Sequence, residues 1–319
     1  MFDMDSKNQP KIYLNSEKIK MMKHRKNSIF LAAFLGLSIA IASALLPSLG
    51  SARENDLIAT VRQIEAALDA RVGIAVYDKE TDRNWQYHAD ERFPMNSTFK
   101  TIACAALLSL VDSAQEKLDR IVVFDESDLV DYSPITETRF GPPGMTLDEL
   151  CEATMSVSDN SAGNFVMEAI GGPEAITQFM RSIGDEVSRL DRWYPSISES
   201  VPGDKRDTTS PNSMAMMLEQ LVLKQTLSLG SRQKLENWLK GNEVSDNLFR
   251  AVIPSDWDIG DRSGAGQYGS RSIAAIMWPP QREPVVAAVY ITETEASFAE
   301  RNAAISEIGE EIVEAVMAQ

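Results

Sequence analysis

The order of apolar and polar positions divides the chain into four stretches. The first is an apolar run from Ile29 to Leu46, preceded by the basic cluster Lys23, His24, Arg25 and Lys26 and followed by Pro47 and the small residues Gly50, Ser51 and Ala52. That layout predicts a secretory signal over residues 1–52 with cleavage after Ala52. Residues 1–20 read as an upstream extension before a start at Met21 or Met22. The competing reading is an uncleaved anchor, because a run of about 18 apolar residues is just long enough to span a bilayer.

In the second stretch, "DLIATVRQIEAAL" from Asp56 to Leu68 repeats apolar residues at helical spacing behind an Asp cap. "RVGIAVYDKETDRNWQYHADE" then predicts two strands around a turn at Glu80–Arg83. The third stretch, residues 98–240, is mainly helical. "TFKTIACAALLSLVD" is apolar nearly all round and predicts a buried central helix. "TLDELCEATM", "SAGNFVMEAI", "EAITQFMRSI", "SPNSMAMMLEQLVL" and "SRQKLENWLK" predict further helices between Gly/Pro punctuation. One connection here, Arg189 to Pro211, has no sustained period, and a loop of that length in a compact chain is functional or disordered. Arg and Asp near both of its ends argue for a loop held still. In the fourth stretch "WDIGDRSGAG", "SRSIAAIMWP" and "PVVAAVYITET" predict three consecutive strands, and "SFAERNAAISEIGEEIVEAVMA" a closing amphipathic helix.

The simplest packing joins the first and last strands into one sheet. Residues 53–91 with 240–319 then form an α/β unit, an antiparallel sheet flanked by the terminal helices, and residues 92–239 an inserted all-α domain that includes the loop 189–211. A site at the seam between the two is the expectation.

Composition narrows the chemistry. Residues 1–52 hold seven of the 31 basic and three of the 47 acidic side chains, so the remainder carries a formal charge of −20. That balance argues against nucleic acid or anionic lipid as a partner. The two cysteines, Cys104 and Cys151, are either a disulfide, which export permits, or two buried thiols, and their spacing does not decide. Beyond residue 52 only His88 remains, which excludes a histidine-built zinc site and leaves a serine–histidine site one residue to use. A hydrolase of this composition draws its bases from lysine, carboxylate or tyrosine.

Three motifs carry candidate chemistry. Ser-x-x-Lys sets a hydroxyl and an amine one turn apart on one helix face, and burial lowers the lysine pKa so that it can take the serine proton. The pattern occurs as Ser97–Lys100, opening the most apolar helix, and as Ser231–Lys234, opening a polar one where Ser231 reads as a cap. Ser-Asp-Asn occurs at Ser158–Asn160 and at Ser245–Asn247, each able to cap a helix. Beside a serine–lysine pair, its hydroxyl would relay a proton and its amide grip a substrate amide. In "DRSGAGQYGSRS", Arg262, Ser263 and Arg271 on a strand with Gly264 and Gly266 suit a carboxylate. The alternative there is an edge strand with glycine bulges and solvated arginines.

In their order and spacing, "FPMNSTFKTIACAALL", "YSPITE", "TLDELCEATMSVSDNSAGN", the loop and "DRSGAG" with "GSRS" resemble a class A β-lactamase over essentially the whole chain beyond the signal. Arg-Ser-Gly in place of Lys-Thr-Gly resembles the carbenicillin-hydrolysing branch. The resemblance implies the two-domain serine β-lactamase/transpeptidase fold and hydrolysis of β-lactam antibiotics through a serine acyl-enzyme, giving antibiotic resistance. With the signal, the acidic balance and the scarcity of metal ligands, the expectation is a periplasmic monomer that binds a small β-lactam substrate, without metal, cofactor, nucleic acid or stable membrane association after cleavage. The resemblance selects Ser158 over Ser245 and pairs Cys104 with Cys151. By the same resemblance Ser97 is the nucleophile and Lys100 its base or the base's helper. Ser158 passes the proton to the ring nitrogen, Asn160 binds the substrate side-chain amide, and Tyr132 flanks the substrate. The N–H groups of Ser97 and Ala265 form the oxyanion hole, Arg262, Ser263 and Arg271 hold the substrate carboxylate, and Arg192 with Asp207 ties the loop's base.

One departure stands in that loop. Where the family reads Trp-Glu-Pro-x-Leu-Asn, this chain reads Trp193-Tyr194-Pro195-Ser196-Ile197-Ser198, so the Glu and Asn that activate and hold the deacylating water are replaced by Tyr194 and Ser198. A free tyrosine titrates near 10, so forming its phenolate at pH 7 costs about 4 kcal/mol. A nearby Lys100 ammonium would recover part of that. Three readings stay open: slow or rerouted hydrolysis through Tyr194 or Lys100, an acylation-only penicillin-binding or β-lactam-trapping protein, and a different hydrolase or peptidoglycan-related module on the same scaffold.

Overall fold

The computed structural model describes residues 49–318. The expected signal lies outside the described residues except for its last four. The chain runs α1 (Leu49–Ala67), β1 (Arg71–Asp78), β2 (Arg83–Tyr87), β3 (Phe93–Pro94), α2 (Phe99–Asp112), β4 (Ile121–Val122), β5 (Met145–Thr146), α3 (Leu147–Ser156), α4 (Asn160–Ile170), α5 (Pro173–Ser182), β6 (Thr208–Thr209), α6 (Pro211–Leu218), α7 (Leu229–Lys240), β7 (Asp258–Ala265), β8 (Arg271–Trp278), β9 (Val285–Thr292) and α8 (Phe298–Met317). No described helix is long and apolar enough to cross a membrane.

Five strands form one antiparallel sheet in the order β2-β1-β9-β8-β7, so the first and last parts of the chain do meet, β1 against β9. The strands read as near-continuous apolar runs because both faces are covered. Alternation then sorts them. Val72, Ile74, Val76, Ile273, Ala275, Met277, Val289 and Ile291 pack with Leu57, Val61 and Ile64 of α1 and Ile305, Ile308 and Ile312 of α8. Ala75, Ala274, Ile276, Val286, Ala288 and Tyr290 face the other way, into a core shared with α2, α3, α4 and α6. Residues 99–108 of α2 are all buried, as the apolar run predicts.

Two helix starts differ from the expectation. Asp56 is an interior residue of α1 and not its cap, because "SARE" upstream is helix-compatible and extends the helix. The cap of α7 is Ser228, whose side chain accepts from Ser231 N, and Ser231 Oγ instead donates to Asp112 Oδ1 at 2.6 Å. Cys104 and Cys151 are bonded and tie α2 to α3.

Candidate active site

A cavity of about 340 Å³ opens where β7 meets the helices. Ser97, Tyr132, Ser158, Asn160, Tyr194, Ser198, Val244, Ser263, Gly264, Ala265, Arg271 and Phe298 line it. Its size suits a small organic ligand.

Ser97 sits in a single 3-10 turn, Asn96–Thr98, directly before α2, and Asn96 is held at φ +46°. β7 can pass beside the Ser97 amide because Gly264 has no side chain: a Cβ there would lie 2.9 Å from Ser97 N and 2.7 Å from Ser272 Oγ. One turn on, Lys100 is fully buried in α2. Its Nζ donates to Ser158 O at 2.8 Å and to Asn160 Oδ1 at 2.8 Å, and lies 3.1 Å from Ser158 Oγ. Ser158 Oγ is in turn 3.1 Å from Ser97 Oγ. Burial, then repulsion from Arg262, holds the Lys100 amine well below the ordinary lysine range, against a smaller opposing pull from Asp159. Gly163 of α4 lets that helix approach, since a Cβ would fall 3.3 Å from Lys100 Cε.

Ser158 takes φ +65° in the turn between α3 and α4, and Asp159 caps α4 through Ala162 N. The same carboxylate accepts from the backbone N–H of Ile135 and Thr136, while Asn160 Nδ2 donates to Asp131 O at 2.9 Å. The triplet is thereby stitched to the segment that carries exposed Tyr132 over the cavity. The second triplet is elsewhere: buried Ser245 donates to Asp261 Oδ1 at 2.6 Å. The second serine–lysine pair is likewise occupied, Lys234 with Asp148 at 2.7 Å.

The long loop is closed at its neck, where Arg189 N donates to Thr208 O at 2.9 Å and Ser188 Oγ meets Thr209 Oγ1 at 2.6 Å. Arg192 pairs with Asp207 and Glu199, and Asp207, 1 % exposed, also accepts from Asp191 N at 2.7 Å and Arg192 N at 3.0 Å. β6, the loop's return strand, pairs with β3 just before the Ser97 turn, which registers the loop on that turn. Further in, Asn96 Nδ2 donates to Ser270 Oγ at 3.1 Å, Ser270 Oγ to Ser200 Oγ at 3.0 Å, and Ser200 Oγ to Asn96 Oδ1 at 2.9 Å. This closed buried ring joins the residue before Ser97, the residue before Arg271 and the loop. No sequence pattern marks it.

Tyr194 is buried, its phenol oxygen 2.7 Å from Ser97 Oγ and its ring 4.5 Å from Lys100 Nζ. Asn164, which the motif reading missed, accepts from Tyr194 N at 3.0 Å and donates to Tyr194 O at 3.2 Å. The expectation that Lys100 draws the phenol down is corrected: burial pushes the Tyr194 phenol well above its ordinary value, outweighing the hydrogen bond from Ser97 and the charge of Arg262. The lysine lies on the ring face and is itself driven toward its neutral form by the same dry surroundings. Among the described residues no carboxylate lines the cavity, since Glu199 is turned to Arg192.

The third motif divides. Ser263, Ala265 and Arg271 line the cavity, Arg271 through Nε on Asn302 Oδ1 at 2.8 Å and Nη1 on Gly264 O at 3.0 Å. Arg262 does not line it, contrary to the expected direct contact with a carboxylate. It is fully buried, donates from Nη1 to Asn242 Oδ1 at 3.1 Å, and its Nε and Nη2 have no hydrogen-bond partner. Burial lowers both guanidinium groups to about 10, and for Arg271 repulsion by Arg262 adds to it. No group of metal-ligating side chains occurs among the described residues.

Comparison with known proteins accords with this geometry. A profile of the β-lactamase enzyme family matches residues 56–316. β-Lactamase AER-1 of Aeromonas hydrophila is 49 % identical over 253 residues, 79 % of this chain and 83 % of that one. β-Lactamase CARB-4 of Pseudomonas aeruginosa is 43 % identical over 284 residues, 88 % of this chain and 98 % of that one. The structure of an ancestral class A β-lactamase, GNCA, superposes with a TM-score of 0.80 at 49 % identity, covering 81 % of this chain and 99 % of that one. With the sheet, the cavity and its serine–lysine–serine cluster in place, the chain belongs to the class A β-lactamases.

Proposed function

We propose that this protein opens β-lactams by acylation of Ser97 and hydrolyses the acyl-enzyme slowly, at a step limited by water activation. The observation that carries this reading is the contact pattern of Lys100. Two of its three contacts, Ser158 O and Asn160 Oδ1, are obligate acceptors and use the two N–H groups of a neutral amine. The lone pair is then left for the Ser158 hydroxyl. The Ser97 proton passes to Ser158 Oγ as the Ser158 proton passes to Lys100 Nζ, and the return path delivers a proton to the lactam nitrogen as the C–N bond breaks. The N–H groups of Ser97 and Ala265 receive the oxyanion, a donor pair of a kind in which each member is worth about 3 kcal/mol. Ser263 and Arg271 take the ring carboxylate, and Arg262 adds positive potential from behind the wall. Asn160 and Tyr132 border the side-chain end.

Deacylation lacks the carboxylate base. A phenol pushed up by burial is a donor at neutral pH, so water must be activated through Ser158 and Lys100, with Tyr194 at most passing a proton on. The second reading, a protein that stays acylated and traps the drug, is favoured by the same Tyr194 contact, which fills the space beside Ser97 Oγ. We assign residues 53–91 with 240–319 to the α/β domain and 92–239 to the inserted helical domain. Export to the periplasm as a monomer, antibiotic resistance and a small β-lactam as substrate complete the proposal.

Mixing the purified protein with a chromogenic cephalosporin and following intact mass tests it. A burst of about one equivalent followed by a slow steady rate and a decaying adduct is expected. A burst with a permanent adduct favours the trap, and an unmodified protein with intact drug sinks both.

A further inference from the structure

Phe298, the first residue of α8, lines the cavity and has no part in the chemistry above. A single exposed apolar side chain needs no explanation. This one is fixed from two sides: the Arg271 guanidinium carbon lies 4.8 Å and that of Arg301 5.5 Å from its ring centroid. Arg301 is itself held, Nη1 on Ser270 O at 3.3 Å and Nε on Ser297 O at 3.2 Å. The ring is thus pre-positioned at the cationic end of the cavity, and it stays 50 % exposed. An exposed apolar ring costs little entropy to use when it is already immobile.

We propose that Phe298 is a specificity-determining residue that selects β-lactams carrying an aromatic group beside the ring carboxylate. The inference rests on the acylation reading. In a cephalosporin the 3-substituent sits on the ring carbon adjacent to the one bearing the carboxylate. A carboxylate paired with Arg271 therefore brings that substituent to the ring stacked on the same guanidinium. Offset or edge-to-face aromatic contact there raises the acylation rate constant roughly two- to tenfold.

The test compares a 3-styryl and a 3-methyl cephalosporin with identical 7-acylamido groups, reading the second-order rate constant of acylation by stopped flow. Phe298→Ala is expected to lower the styryl-to-methyl ratio by roughly two- to tenfold, and Phe298→Tyr, which keeps a ring, to preserve it. A ratio unchanged in Phe298→Ala, including an equal fall for both drugs through a displaced Arg271, overturns the proposal, as does a ratio lost equally in Phe298→Tyr. Wild-type protein that takes up neither drug overturns this inference and the acylation reading together.

Discussion

The phenol oxygen of Tyr194 stands 2.7 Å from Ser97 Oγ, so the long loop lays an aromatic side chain directly against the serine hydroxyl. Tyr194→Glu shortens the side chain, frees room for a water and supplies a base. Deacylation is expected to speed by about 100-fold or more, measured as the decay of adduct mass after excess drug is removed. An adduct that persists as long as in the wild type would show that the loop, and not the missing carboxylate, limits turnover.

Acylation should depend on pH as a depressed lysine dictates. Because burial and Arg262 lower the Lys100 pKa, the neutral base is present well below the ordinary lysine value near 10.4. The acylation rate constant is expected to stop rising with pH below the ordinary lysine value, where a lysine of ordinary pKa would still be gaining about tenfold per unit. Stopped-flow traces at rising pH decide it, and a gain of about tenfold per unit that continues up to the ordinary lysine value means that Lys100 is ionised in the resting protein.

The loop's base is a further lever. Arg192→Ala leaves the Asp207 carboxylate buried without its guanidinium and should cost about 3 kcal/mol, read from the denaturant midpoint, with new proteolytic cuts between 189 and 211. Acid should loosen the same region late. Hydrogen bonds from Arg206 hold Asp204 at about 2, below its unfolded value, so its contribution is complete above about pH 4 and is lost as pH falls toward 2. Nicking that rises already between pH 7 and 5 would contradict this.

At Gly266, directly after β7, the loop and the turn before Ser97 leave no room for a side chain. A Cβ there would meet Asn96 Oδ1 at 2.3 Å, Ser200 Oγ at 2.5 Å and Ser198 O at 2.7 Å. Gly266→Ala should break the Asn96–Ser200–Ser270 ring, costing about 1–3 kcal/mol, and alter deacylation more than acylation, since the loop moves and the serine–lysine cluster does not. Thermal melting and the two rate constants separate the outcomes; a variant with wild-type melting and lifetime would mean that the ring does not position the loop.

Periodicity indicated the main strands and helices of this chain and the burial of α2, because helical and strand repeats are local properties that survive without knowledge of the fold, and the need to cover a sheet's faces suggested the joining of its ends. Motif order, with the resemblance it carries, pointed to Ser97, Lys100 and Ser158, which the fold links by hydrogen bonds through Ser158. What only the tertiary structure decided is where side chains point. Arg262 and Arg271 look alike on paper, yet one is sealed behind the wall and the other faces the cavity. Glu199 is close to the site in sequence and is spent on Arg192. Phe298 and Ser200 join the site from segments 201 and 103 residues from Ser97 in number, with no pattern to announce them. Direction depends on packing against distant neighbours and on the dielectric they create, which is also why the Tyr194 phenol is pushed up by burial and gets no downward pull from the neighbouring lysine.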